Sequence, residues 1–175
     1  MKRRLFTAAA CLAAALLFGT YACKKNSASP AKSQKYQLVS GNWQETDIQL
    51  DVAVSVKVGA TKYSFPVGTS MITNPTLKAL GVTALFTPTV NNVYHFPDSG
   101  AYTIDGVTKV ILPVAGNAGK WSLDEYDAVL KLNPSDTVND PHWISSFSDT
   151  SLSLLMTVSI PGLGAAPLTL QLKKQ

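Results

Sequence analysis

The sequence predicts an all-β antiparallel domain, either a barrel or a two-sheet sandwich. Three observations carry this. Apolar and polar residues alternate with a period of two through several stretches, clusters of Gly, Pro, Asp and Asn separate those stretches at short intervals, and only one short segment carries helix signals. Alternation with a single apolar face disfavours a parallel sheet covered on both sides, and there is too little helix for βαβ units.

The clearest stretch is 48–58, where Ile48, Leu50, Val52, Val54, Val56 and Val58 alternate with Gln49, Asp51, Ala53, Ser55 and Lys57. It reads as one long strand with an apolar face and a wet face. Near the C-terminus Leu152, Leu154, Met156, Val158 and Ile160 repeat the pattern; Pro161-Gly162-Leu163-Gly164 breaks it, and Leu168, Leu170 and Leu172 resume it. Two such runs about a Gly/Pro loop make a hairpin. In the middle, 92–96 and 101–105 flank the turn residues Pro97-Asp98-Ser99-Gly100. A further strand is expected over 107–114. Residues 120–123 and 128–132 read as a pair ended by Asn133-Pro134-Ser135-Asp136, and 143–147 as a short strand before Ser148-Asp149. The one short helix is placed after Asn74, a good cap, with Pro75 at its first position and Gly81 just past its end.

The N-terminus has a different character. The charged head Met1-Lys2-Arg3-Arg4 precedes an apolar run over 5–18, then Cys23, then the polar segment Lys24-Lys25-Asn26-Ser27. This order is that of a secretory signal ending at a cysteine. The run falls short of the roughly 20 apolar residues that a membrane span needs. It resembles a bacterial lipoprotein signal, although Thr20-Tyr21 before Ala22 departs from the usual Leu-plus-small pattern. Cleavage at Cys11 would leave almost no apolar core. The resemblance implies a signal peptide over 1–22, an acylated Cys23 as the first mature residue, a flexible tether over 23–37 and a folded domain over 38–175. Lys24 in place of an acidic residue points to the outer membrane, facing the periplasm.

Charge and cysteine usage exclude several function classes. Once Lys2, Arg3 and Arg4 leave with the signal, twelve basic residues face eleven acidic ones, and no arginine remains. No basic stripe offers itself to nucleic acid. With Cys11 removed and Cys23 acylated, a disulfide within the mature chain, a thiolate zinc site and a cysteine nucleophile are all ruled out. His95 and His142 stand at no catalytic spacing, and there is no Gly-x-Ser-x-Gly elbow. The acidic groups Asp136, Asn139, Asp140 and Asp124, Glu125, Asp127 lack the spacing of a calcium loop and read as solvated turns. The expectation is a non-enzymatic protein with no cofactor and no metal.

Gly41-Asn42-Trp43 ahead of a long alternating strand resembles the Gly-x-Trp opening of lipocalins. Val93-Tyr94-His95-Phe96 with Gly100-Ala101-Tyr102-Thr103, and then Gly119-Lys120-Trp121, are similar to the aromatic hairpins of lipocalin-like lipoproteins of Gram-negative (Bacteroidota-type) bacteria. The resemblance implies an up-and-down antiparallel barrel around an apolar interior that accepts a small hydrophobic ligand. Tyr94, Phe96, Tyr102 and Trp121, with Phe147, are the residues that would line it; the same rings also read as ordinary core packing. The partners so implied are a membrane, through Cys23, and that ligand.

Two departures set structural conditions. Lipocalins pack an arginine of the last strand over the opening tryptophan, whereas here only Lys173 and Lys174 are at hand. Trp43 and Ile48 also have opposite parity, so a bulge near Glu45-Thr46-Asp47 is needed to turn both inward. The alternation alone is equally compatible with an immunoglobulin-like sandwich used for adhesion in the cell envelope. For the anchor, replacing Cys23 by Ser is expected to abolish incorporation of labelled palmitate; undiminished labelling would contradict the lipoprotein assignment.

Overall fold

A computed structural model describes residues 31–86, 91–106, 117–124, 126–160 and 164–175. The signal segment 1–22, Cys23, the strand expected over 107–114, Glu125 and Pro161-Gly162-Leu163 lie outside the described residues.

The described elements run α1 (Gln34–Val39), β1 (Gly41–Leu50), β2 (Val54–Val58), β3 (Thr61–Phe65), α2 (Pro75–Ala79), a 3-10 turn (Val82–Leu85), β4 (Val93–Phe96), β5 (Ala101–Asp105), β6 (Ala118–Leu123), β7 (Val129–Ser135), β8 (Val138–Phe147), β9 (Ser151–Ile160) and β10 (Gly164–Lys174). Eight strands form a closed antiparallel barrel in the order β1-β10-β9-β8-β7-β6-β5-β4, with β4 returning to β1. β2 and β3 pair only with each other, as a hairpin inserted between the first and second barrel strands. Apart from the β1–β10 pair that closes the barrel, strands from β4 to β10 pair with their neighbours in sequence, which is up-and-down topology. Closure rules out the sandwich, whose two sheets keep open edges.

The inward faces supply the core. Trp43, Tyr94, Phe96, Leu130, Leu132, Leu152, Leu154, Leu168 and Leu170 are all fully buried. The register shift expected in β1 falls between Glu45 and Asp47, and both Trp43 and Ile48 point inward as a result. Asn74 caps α2, its Oδ1 accepting from the N–H groups of Thr76 and Leu77 at 3.0 Å each.

One end of the barrel is sealed by α1 and the Gly-x-Trp residues. Trp43 Nε1 donates to the Val39 carbonyl at 2.7 Å, and Lys174 Nζ donates to the Leu38 carbonyl at 2.6 Å. Both acceptors belong to the last turn of α1, where helix carbonyls lack partners and cations are favoured. Lys174 Nζ also lies 5.2 Å from the Trp43 ring centroid. Lysine thus acts by charge over the ring, without the planar stacking an arginine would add. Gly41 makes room for it: its φ is 130°, and a Cβ there would meet Lys174 Cε at 3.0 Å.

Ordered structure begins earlier than composition suggested. Residues 34–37, expected in the tether, form most of α1, and Ser33 caps it by accepting from the Tyr36 N–H at 3.0 Å. Tyr36 stacks on Trp121 with centroids 4.2 Å apart, and Lys32 pairs with Asp98 at 2.9 Å. Tertiary contacts fix this segment in spite of its polar sequence.

Three strand boundaries also differ from expectation. The run 48–58 is not one strand. Ile48 and Leu50 belong to β1, the chain bends out of the barrel at 51–53, and Val54, Val56 and Val58 lie in the separate hairpin. The Asp51 N–H donates to the Pro167 carbonyl at 3.0 Å, but Pro167 has no N–H to return, so the β1–β10 ladder ends there. β7 runs through Pro134 to Ser135, with irregular register after Leu132. Gly119 permits this close approach, since a Cβ there would stand 2.3 Å from the Asn133 carbonyl oxygen. β8 begins at Val138 rather than at Trp143.

Candidate functional site

The four aromatic residues expected to line a ligand cavity are all core residues, each no more than 2% exposed. Tyr94, Phe96 and Trp121 form one run of ring contacts, with Tyr94 and Phe96 centroids 6.3 Å apart. Phe96 and Trp121 pack at the sealed end, centroids 5.5 Å apart, with Trp121 Nε1 donating to the Pro97 carbonyl at 3.0 Å. Tyr94 donates its hydroxyl to Glu45 Oε2 at 3.2 Å. Burial, then the Glu45 charge, push the Tyr94 phenol well above its ordinary value, so it stays a neutral donor. Tyr102 covers Gly119, where a Cβ would meet its ring at 2.8 Å. Burial and the Asp140 carboxylate raise its phenol as well. Phe147 is half-buried, with Lys35 Nζ 5.5 Å from its ring centroid. Gly41 and Trp43 are structural parts of the seal described above.

The barrel wall parts elsewhere. Registered pairs between β8 and β9 run from Phe147↔Leu152 to Ile144↔Leu154 and go no further, although β8 extends back to Val138 and β9 on to Ile160. The cause is local. The Ile144 N–H donates to the Ala128 carbonyl on the β7 side at 2.9 Å. Backbone groups alternate sides along a strand, so those of Trp143 and Pro141 face β9. Pro141 has no N–H, and a proline in mid-strand leaves the ladder unmade on the side its nitrogen faces.

A cleft of about 350 Å³ occupies this gap. Its outer walls are Pro141, Trp143 and Leu155, and Met156, Asp140 and His142 reach it from the inward face. Register fixes that face: Leu130 stands opposite His142 and Leu132 opposite Asp140, and both leucines are fully buried. Trp143 is 61% exposed at the lip.

His142 is buried beside the gap, and the backbone of Leu155 on β9 is among the groups that favour its charged form. His142 Nε2 lies 3.1 Å from Asp140 Oδ2, a distance suited to charge attraction but with geometry too poor for a hydrogen bond. Both atoms therefore remain without a hydrogen-bond partner among the described residues. Burial holds the imidazole below its ordinary value, against the opposing pull of the Asp140 carboxylate.

Asp140 corrects an expectation. It was grouped with Asp136 and Asn139 as a solvated turn, but its side chain is only 17% exposed. Asp136 does face solvent, 3.1 Å from Lys120. In the other acidic group, Asp124 accepts from the N–H groups of Ala128 and Val129 at 2.7 and 3.0 Å, which closes its loop and lowers its pKa. His95 faces outward between Asn42 and Asp105, at 2.8 and 3.0 Å. Among the described residues no group of three His, Cys, Asp or Glu is placed to hold a metal ion.

Sequence reasoning missed the cleft, and the signal was Pro141. A proline two residues before the parity-matched pair Trp143 and Ser145, within an otherwise strand-like run, marks a place where a neighbouring strand cannot pair. No protein-family model matches the chain, and no curated protein matches it in sequence.

The buried imidazole makes stability depend on pH. An unfolded histidine takes a proton near 6.5, whereas His142 in the fold takes it at lower pH. The unfolded state thus binds more protons as pH falls below about 6.5, and stability drops. The Asp140 carboxylate beside the ring moderates this. Urea midpoints measured between about pH 7 and 5, above the carboxylate range, should fall with pH for the native chain and stay flat for His142→Gln.

Proposed function

We propose that this protein is a non-enzymatic, lipocalin-like lipoprotein. It is held at the outer membrane by an acylated Cys23, faces the periplasm, and takes up a small, largely apolar molecule at the β8–β9 cleft. The eight-strand closed barrel supports the lipocalin-like part, together with the glycine, tryptophan and cation that seal its first strand. The signal-like head and the polar residues after Cys23 support the anchor. One acyl chain holds a protein only marginally at a bilayer, and the two or more chains of a lipoprotein hold it stably.

The observation that carries the binding reading is the parted wall. Its cleft has the volume of a small-molecule site and combines apolar sides with a few convergent polar groups. An exposed tryptophan at the lip of such a cleft supplies a large rigid contact surface at low entropic cost. The aromatic residues at the sealed end form the floor of the barrel in this reading and do not contact the ligand.

Full-length acylated protein in phosphatidylcholine nanodiscs, titrated with the neutral probe 1-naphthol against empty discs, tests the reading. Saturable one-site binding is expected, weakened about tenfold by Trp143→Ala. Binding no greater than to empty discs, or binding indifferent to Trp143→Ala, would contradict it.

A further inference from the structure

The chain between β1 and β4 differs in charge from the rest of the molecule. No aspartate or glutamate occurs between Asp51 and Asp98, a stretch that carries Lys57, Lys62 and Lys78. Two of these lysines stand opposite each other. β2 and β3 form a two-stranded ribbon in which Lys57 pairs with Lys62 and Ser55 with Ser64. Side chains alternate between the faces of a strand, so both pairs occupy one face, and the two serine hydroxyls meet there at 3.1 Å. Like charges directly opposite each other in a strand pair repel and destabilise it. Among the described residues no carboxylate forms an ion pair with either lysine.

The other face of the ribbon is rooted and then runs out. Val54, Val56, Tyr63 and Phe65 pack against the core. Beyond them every residue over 57–62 is exposed. This projecting end reads Lys57-Val58-Gly59-Ala60-Thr61-Lys62, an uncharged tip with a lysine on each side. Val58 on the tip is 49% exposed. Val52, Val67 and Leu85, also exposed, belong to the same stretch of chain, so its apolar and its cationic surface come together.

A cationic flank around an uncharged, partly apolar tip fits a surface that is negative outside and apolar just beneath. An anionic bilayer has that order of layers. Its phosphates attract lysines, and the region below them receives apolar side chains while lysine stems reach back to the surface. A soluble anion answers the lysines alone and leaves Val58 in water.

We propose that the β2–β3 ribbon is a second membrane contact, in which Lys57 and Lys62 meet the headgroups of anionic phospholipid and the tip 58–61 enters the interface. The ribbon leaves the barrel after β1, at the end opposite the seal, whereas the chain enters the domain at α1 on the sealed side. A contact at each end lays the barrel along the bilayer instead of leaving it free to swing on its anchor. Two lysines and a valine hold a surface only weakly, and tethering makes such a contact effective by turning it into an intramolecular one. Nothing in this depends on what the cleft binds.

Val58→Cys, at an exposed position, takes a bimane label without risk to the fold. The labelled full-length protein is placed in nanodiscs of phosphatidylcholine and in nanodiscs holding about one quarter phosphatidylglycerol, both with a nitroxide-headgroup lipid that quenches bimane at the interface. Quenching is expected to be about threefold stronger in the anionic discs. It should fall to the level of the neutral discs when Lys57→Gln and Lys62→Gln are combined, and likewise in about 1 M salt. Equal quenching in both kinds of disc, or a difference that survives the two substitutions, would overturn the proposal. An equal shift of bimane emission on adding inorganic phosphate or polyglutamate to the neutral discs would also overturn it, making the ribbon a site for a soluble anion or an acidic protein segment. Retention on the discs reports on Cys23 and quenching reports on the ribbon, so the two readings fail separately. A chain that is not retained is tested with vesicles of the same two compositions, where the same difference is expected and its absence would overturn the ribbon contact.

Discussion

A single absent proton donor organises this molecule. Pro141 sits in β8 where its nitrogen faces β9, and it cannot make the bond that a closed barrel requires at that point. β8 and β9 therefore pair from Phe147 to Ile144 and separate beyond it. Separation places the buried His142 and Asp140 along the inner side of the cleft, and it leaves a lip on which Trp143 is exposed rather than packed. His142 stays buried beside the gap, 3.1 Å from Asp140.

The opposite end of the barrel is built in the contrary way. There the carbonyls of Val39 and Leu38 at the end of α1 are met by Trp43 and Lys174, and the indole of Trp121 donates to Pro97. Gly41 exists to let the lysine stem pass, and Tyr36 closes over Trp121. The bulge at Glu45 lets one strand serve both ends, turning Trp43 into the seal and Ile48 into the barrel core. A second proline, Pro167, ends the β1–β10 ladder at Asp51 and sends the chain out into the β2–β3 hairpin. Two prolines on two barrel strands thus set where the wall closes and where it stops.

The sequence made much of this legible, for physical reasons that can be named. Period-two alternation reported which residues face inward, so the β9–β10 hairpin and the β4–β5 turn came through correctly. Opposite parity of Trp43 and Ile48 required the bulge before any coordinate did. What alternation cannot report is which sheet a strand joins. The unbroken pattern over 48–58 therefore hid the exit at Asp51. Composition likewise misjudged 34–37, because α1 is held by stacking on Trp121 and not by its own propensity. The site was the least legible part. Asp140 read as one of several turn acids because the pattern starts the strand at Trp143, which hid that Asp140 and His142 share the inward face of β8.

The parted wall is open to direct measurement. Residue-resolved amide hydrogen exchange along β9 compares its paired half, 151–154, with its half beyond the gap, 155–160. The account predicts slow exchange throughout the first half. In the second half, alternate amides should exchange fast because they face β8 and find no acceptor, while those facing β10 remain slow. Uniform slow exchange from 151 through 160 would mean that β8 and β9 are joined along their whole length, and would contradict both the cleft and the function assigned to it.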